Sequence, residues 1–208
     1  RHTRSLCDWS SDVCSSDLGL KATDPARYGS LVHPGDIYSY DIYSQAGAAL
    51  RNPNGADPLA GVRPKILIAD GESQSASRMT TYVDAIAPLH HVYDAFLVHS
   101  RSASASGLHS SGAGASMPRP VYIRDDQSEP VVTLESETDV PGFAAARQAD
   151  NARLRVWEVA GTSHVDAYGL GPAAIAFLNC PLPVNSGPHH YVVHTALLEL
   201  VRWLRNPR

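Results

Sequence analysis

Lys65-Ile66-Leu67-Ile68-Ala69-Asp70-Gly71-Glu72-Ser73-Gln74-Ser75 is the stretch on which the fold turns. Four consecutive apolar residues, Ile66 to Ala69, follow Pro64 and Lys65 and predict a strand buried on both faces of a parallel sheet. A Gly and a Ser come next, and then apolar residues at helical spacing: Ala76, Met79, Val83 and Ile86. Pro88 is expected to close that helix. Strand, tight turn carrying a Ser, then helix is the order that a nucleophile elbow requires. Gly71 would accept the close approach of the turn, and Ser73 would project its hydroxyl from the carboxyl edge of the sheet. The backbone N–H of Gln74 would face a developing oxyanion, reinforced by the helix amino terminus. A plainer reading makes this a Gly–Ser turn in which Ser73 or Ser75 caps the helix. The pentapeptide alone leaves both open; the flanking strand and helix favour the elbow.

The same alternation continues on either side. Upstream, Asp36 after Pro34-Gly35 is a candidate cap for a helix whose buried side is Ile42, Ala46, Ala49 and Leu50, ending at Asn52-Pro53-Asn54-Gly55. Downstream, Tyr93 to Val98, Pro130 to Leu134 and Leu154 to Val159 read as three further strands. Residues 100–116, rich in Ser, Ala and Gly, are expected to form a mobile loop or cap segment. Gly112-Ala113-Gly114 within it lacks the Lys and the βαβ setting of a phosphate loop. Ala144 to Ala152 predicts a short helix, and Val193, Leu197, Leu200 and Leu204 mark a closing amphipathic one. Strands alternating with helices predict an α/β fold with a mostly parallel sheet flanked by helices.

The ends and the composition bound the rest. Residues 1–18 include Cys7-Asp8-Trp9-Ser10-Ser11-Asp12-Val13-Cys14-Ser15-Ser16-Asp17-Leu18, which resembles the translation of a sequencing-adapter oligonucleotide and has neither a signal-peptide core nor a helical or strand period. We expect 1–18 to be a non-native tail and 19–208 to be a partial domain lacking its N-terminal strands. That leaves Cys180 as the one Cys outside the tail, too few for a disulfide framework, so compartment is not legible. With 17 Lys and Arg against 21 Asp and Glu, the chain has no basic stripe, which argues against a nucleic-acid partner. No apolar run approaches a membrane span. His190 and His194, four apart on the closing helix, could form a metal pair, but no H-E-x-x-H Glu and no third ligand accompany them, so a structural role is preferred. His189 and Tyr191 are candidates for pocket lining, and His90 and His91 for the surface.

Three polar groups fall just beyond carboxyl ends of expected strands: Ser73, the acidic run Glu135-Ser136-Glu137-Thr138-Asp139, and His164. That edge is where ligands and catalytic groups gather in open α/β sheets. A serine hydroxyl needs a base to become a nucleophile. Imidazole can take the proton near pH 7 and return it to a leaving alcohol, and a buried carboxylate fixes its tautomer. Asp139, farthest past the strand, is the preferred acid; Glu137 is the alternative, and Glu135 a further rival.

Four stretches carry a resemblance: Gly71 to Ala76, Tyr93 to Arg101, Gly161 to Asp166 and Asn185 to Tyr191. In this order they resemble a largely bacterial family of alpha/beta hydrolase domain proteins, over about Tyr28 to the end. The resemblance implies Ser73 as nucleophile, Gln74 N–H in the oxyanion hole, His164 as base and Asp139 as acid. It implies an ester-hydrolysing serine enzyme acting on a small-molecule ester, with no metal and no organic cofactor. It also places a second oxyanion donor upstream, in chain this sequence is expected to lack. The alternative is a non-catalytic or inactive truncated module.

Overall fold

Ala95-Phe96-Leu97-Val98-His99 is a near-continuous apolar run and Val131-Val132-Thr133-Leu134-Glu135-Ser136 an apolar run that turns polar at its end, and both are buried along their whole length. They form the middle of a four-stranded, all-parallel sheet in the order β1-β2-β3-β4. The strands are β1 (Ile68–Glu72), β2 (Ala95–His99), β3 (Val131–Ser136) and β4 (Leu154–Val159). The computed structural model describes residues 21–32, 34–108, 120–177 and 183–206. Residues 1–18, Gly112-Ala113-Gly114 and Cys180 lie outside the described residues.

Alternation along the strands divides the core into two layers. Ala69, Phe96, Val98 and Val131 face one side and pack with Ala76, Met79, Tyr82 and Val83. Ala95, Leu97, Val132 and Leu134 face the other and meet Ala196 and Leu200 of the closing helix. Helices therefore cover both faces, as parallel strands require. β1 departs from the expectation of burial on both faces: Asp70 and Glu72 are exposed, and only Ala69 and Gly71 are buried. It lies at one edge of the sheet among the described residues, and the closing helix lies across β2 and β3 instead.

Besides a one-turn helix at Pro25–Tyr28, the helices are α1 (Ser39–Arg51), α2 (Gln74–Thr81), α3 (Ala87–His90), α4 (Val140–Phe143), α5 (Ala167–Phe177) and α6 (His189–Arg205). α1 presents Tyr40, Ser44 and Gly47 to the core, whereas Ile42 and Ala46 of the expected face are exposed. Aromatic packing selects this face. Tyr43 stacks on Tyr93 at 5.0 Å and meets Tyr82 edge-on at 5.4 Å. Ser44 Oγ and Tyr82 Oη are hydrogen-bonded at 2.8 Å, and Tyr93 Oη donates to the Tyr43 carbonyl at 2.7 Å. A single π-helical turn, Tyr82–Ile86, joins α2 to α3, so the helix runs past Pro88 to His90. Pro88 is tolerated there because it sits in the first turn of α3, where its missing N–H breaks no bond.

Two other expectations change. Of the helix expected over 144–152 only a 3-10 turn, Ala144–Ala146, forms, directly after α4. Asp150 and Asn151 direct their side chains to backbone N–H groups of Val156, Arg153 and Leu154, turning the chain into β4. The small-residue segment after β2 is pinned, not loose, where it is described. Ala103, Ser104 and Ala105 are buried; Ala103 N–H donates to Gly142 O, and Ser106 N–H to Ser77 O. Its small side chains let the backbone lie against its neighbours.

Gly71 sets how closely α2 can follow β1. A Cβ there would lie 2.8 Å from the Ser75 carbonyl oxygen and 2.8 Å from Met79 Cβ. Backbone cannot yield cheaply, so Gly71→Ala is expected to cost about 1–3 kcal/mol as an overpacked site. Thermal unfolding should show a midpoint several degrees lower; an unchanged midpoint would contradict this close packing.

Candidate active site

The turn after β1 has the geometry that a short strand–helix connection imposes. Ser73 stands between Glu72, the last residue of β1, and Gln74, the first of α2, with φ 55° and ψ −116°. Positive φ is costly for a residue with a Cβ and persists where its surroundings hold it. Here the Ser73 N–H donates to the His99 carbonyl at 3.1 Å, extending the β1–β2 ladder into the turn. Its hydroxyl makes no capping bond to α2, so the plainer reading of Ser73 as an N-cap does not describe this turn. Gln74 N–H, in the first turn of α2, has no carbonyl partner within the helix.

The hydroxyl is turned instead to His164, whose Nε2 lies 2.9 Å from Ser73 Oγ. Nδ1 of the same ring lies 2.6 Å from Asp139 Oδ1. A carboxylate can only accept. Nδ1 therefore carries the hydrogen, and Nε2 is left to accept from the Ser73 hydroxyl. Three strand ends converge at this point: β1 supplies Ser73, the turn after β3 supplies Asp139, and the loop after β4 supplies His164.

That loop is held at several points. Gly161, at φ 79°, donates its N–H to Glu137 Oε2 at 2.6 Å. His164 N–H donates to Thr138 Oγ1 at 2.8 Å. Asp166 accepts from Gly169 N–H at 2.8 Å and from His189 N–H at 3.2 Å, tying the loop to the start of α6. Glu137, the alternative acid, thus fastens the histidine loop, and the imidazole faces Asp139.

Burial alone would raise the Asp139 carboxyl, but hydrogen bonds from His164 and Ser136, with the positive charge available at His164, hold it below the ordinary aspartate value. Ser136 Oγ donates to Asp139 Oδ2 at 2.5 Å. His164 is pushed above its ordinary value. Its hydrogen bond to Asp139 is the main cause, partly opposed by burial and helped by the charges of Asp139 and Glu72. The arrangement can hold an ionised carboxylate, a neutral imidazole and a serine hydroxyl in one line.

The other histidines fall away from this line. His189 is buried and meets His99 ring-to-ring at 6.3 Å, and burial pushes it below the ordinary histidine value. His190 is stacked on Tyr168 at 3.8 Å, with Tyr191 at 4.1 Å, and His194 is exposed. Tyr191 is 65 % exposed, so it does not line a closed pocket. Among the described residues no group of three or more potential metal ligands gathers. His90 and His91 are both exposed. A cavity of about 220 Å³ opens beside the turn, between Tyr40, Tyr43, Ser75, Arg78 and Met79. A larger one, about 290 Å³, lies at the opposite end of the strands near Tyr93, Pro130 and Trp203, remote from Ser73. Sequence reasoning missed the hydroxyls of Ser136 and Thr138, which hold Asp139 and the His164 loop. Their interleaving with Glu135, Glu137 and Asp139 at a strand end was the available signal.

Neither the curated proteins nor the solved structures include a match to this chain. A family described as alpha/beta hydrolase domain does match, over residues 7–208. With strands and helices in this order and nearly the whole chain matched, the protein belongs to the alpha/beta hydrolase domain family.

Proposed function

We propose that the chain is a serine-dependent carboxylic-ester hydrolase acting through an acyl-enzyme, with Ser73 as nucleophile, His164 as base and Asp139 as acid. The observation that carries this reading is the unbroken relay from Ser73 Oγ to His164 Nε2, 2.9 Å, and from His164 Nδ1 to Asp139, 2.6 Å. Ser73 Oγ attacks the ester carbonyl carbon as its proton passes to His164 Nε2. The carbonyl oxygen takes the negative charge and receives the Gln74 N–H at the amino end of α2. Collapse breaks the bond to the alcohol, which leaves with the proton from Nε2. Water then repeats the sequence on the acyl-enzyme, releases the acid and restores the Ser73 hydroxyl. Asp139 stays ionised throughout and steadies the imidazolium. Thioesters and amides fit the same steps.

Labelling by a fluorophosphonate probe tests this directly. The chain should label and Ser73→Ala should not, because the probe needs an activated serine oxygen. A folded wild-type chain that stays unlabelled would overturn the reading in favour of a non-catalytic module. A metal-dependent reading through His190 and His194 is less well supported, because the His190 ring is occupied by its stack with Tyr168.

A further inference from the structure

Behind the candidate acid lies a second carboxyl that the mechanism does not use. Glu135 sits in β3, one residue before Ser136, and is fully buried at 0 % exposure. Neither of its carboxyl oxygens meets a hydrogen-bond partner at bonding distance and angle, although the Arg101 backbone N–H lies near enough to favour its charged form in part. Among the described residues the buried cation nearby is Arg101, itself 1 % exposed; two of its three guanidinium nitrogens are bonded elsewhere, and Nη1 has no hydrogen-bond partner. Nε donates to the Ser102 carbonyl at 3.1 Å and Nη2 to the Val121 carbonyl at 2.6 Å, with the group over the Phe143 ring.

The charged groups around Glu135 come from every neighbouring element. Asp139 follows β3, Arg101 follows β2, and Glu158 is its register partner on β4. Asp84, in the π-helical turn after α2, acts on the same Arg101. Glu158 is drawn outward by Arg147, at 2.5 and 2.7 Å. Arg101 is thus shared by Glu135 and Asp84, while Asp139 and Glu158 are further carboxyls around Glu135. Only Asp139 among them has both His164 and Ser136 as donors. Two carboxyls at one buried strand end do not both ionise; the one lacking donors keeps its proton.

We propose that Glu135 is a positioning residue that works as a neutral, protonated carboxyl, so that Asp139 is the ionised carboxylate of β3 and its following turn that acts on His164. Burial and the charge of Asp139 agree with this, pushing the Glu135 carboxyl up to about 9. The consequence is chemical. A second anion at this depth would hold the imidazolium more tightly and leave less free base at neutral pH. This inference rests on the reading of Asp139 and His164 as acid and base, but its test does not depend wholly on activity.

The test compares wild type with Glu135→Gln, which keeps the shape and the neutrality. An unfolded glutamate releases its proton near its ordinary 4.5, whereas the folded one holds it to about 9. Between these values the folded state binds the extra proton, so its stability falls as pH rises. Gln cannot do this. The melting temperature of Glu135→Gln should therefore exceed that of wild type by a margin that widens from about pH 5 to about pH 9. The difference between the two proteins cancels every group they share. A margin independent of pH overturns the proposal.

The second readout is the pH dependence of the fluorophosphonate labelling rate. Its acid midpoint should coincide in the two proteins, since a neutral group replaces a neutral group. A midpoint lowered by about one pH unit in the variant would show that an anion had been removed, and would overturn it. Glu135→Met, apolar and of similar length, guards against a local misfit of the amide. If neither neutral variant folds, a charge is required at this position and the proposal fails. If wild type folds but never labels, the hydrolase reading fails while the melting series still decides this one.

Discussion

Ser73→Ala and His164→Ala are each expected to lower kcat for ester hydrolysis by about 10⁶-fold, and the double variant by little more than either. In the proposed mechanism the two residues act as one unit. Without the Ser73 oxygen there is nothing for the imidazole to deprotonate; without Nε2, 2.9 Å away, the hydroxyl stays protonated and inert. Residual hydrolysis of about 10³–10⁴-fold over water would come from the oxyanion site and substrate binding alone. Both side chains are small features of a turn and a loop, so the fold should survive, and KM should move far less than kcat. Measurement of kcat and KM for a short-chain aryl ester across the three variants checks this. Losses that multiply in the double variant would mean that the two residues act in separate steps.

Asp139→Asn should lower kcat by about 10⁴-fold, the cost of presenting the wrong imidazole tautomer. An amide can place its NH₂ at the position now occupied by Asp139 Oδ1, 2.6 Å from Nδ1. Nδ1 would then become the acceptor and Nε2 would carry hydrogen, facing Ser73 with no lone pair. Glu137→Gln should cost less than about 10-fold, because Glu137 secures the Gly161 N–H rather than the ring. The pH profile separates the cases further. The proposed mechanism needs neutral His164, whose titration is raised by Asp139. Activity in wild type should therefore rise with pH through a midpoint above the ordinary histidine value of 6.5. In Asp139→Asn that midpoint should fall. If Glu137→Gln were the more damaging change, the assignment of the acid would be wrong.

Local pattern carried the elements whose formation depends on near neighbours. Leu154–Val159 reads as a strand from its apolar run and is β4 with those bounds. The strand–Gly–x–Ser–helix order around Ser73 was legible because each part has its own signature within a few residues. Helical spacing in α6 likewise announced Leu200, which is fully buried. The alternation of these elements was enough to predict parallel strands flanked by helices.

Other features depend on groups far apart in the chain. The buried side of α1 was misread because Tyr43 and Gly47 are placed by Tyr82 and Tyr93, not by the helix's own apolar residues. β1 was misread as buried on both faces because edge position is a property of the sheet. The acidic run after β3 offered three carboxyls, and periodicity could rank them only by distance past the strand. Their fates differ in the fold: Asp139 meets the imidazole, Glu137 holds the Gly161 loop, and Glu135 is enclosed beside Arg101. The sequence by itself determined that a serine, an acid and a histidine would lie at one edge of a parallel sheet, since strand and helix formation is local. Tertiary structure alone decided which carboxyl faces His164, because that depends on where a loop 25 residues away in sequence is tied down.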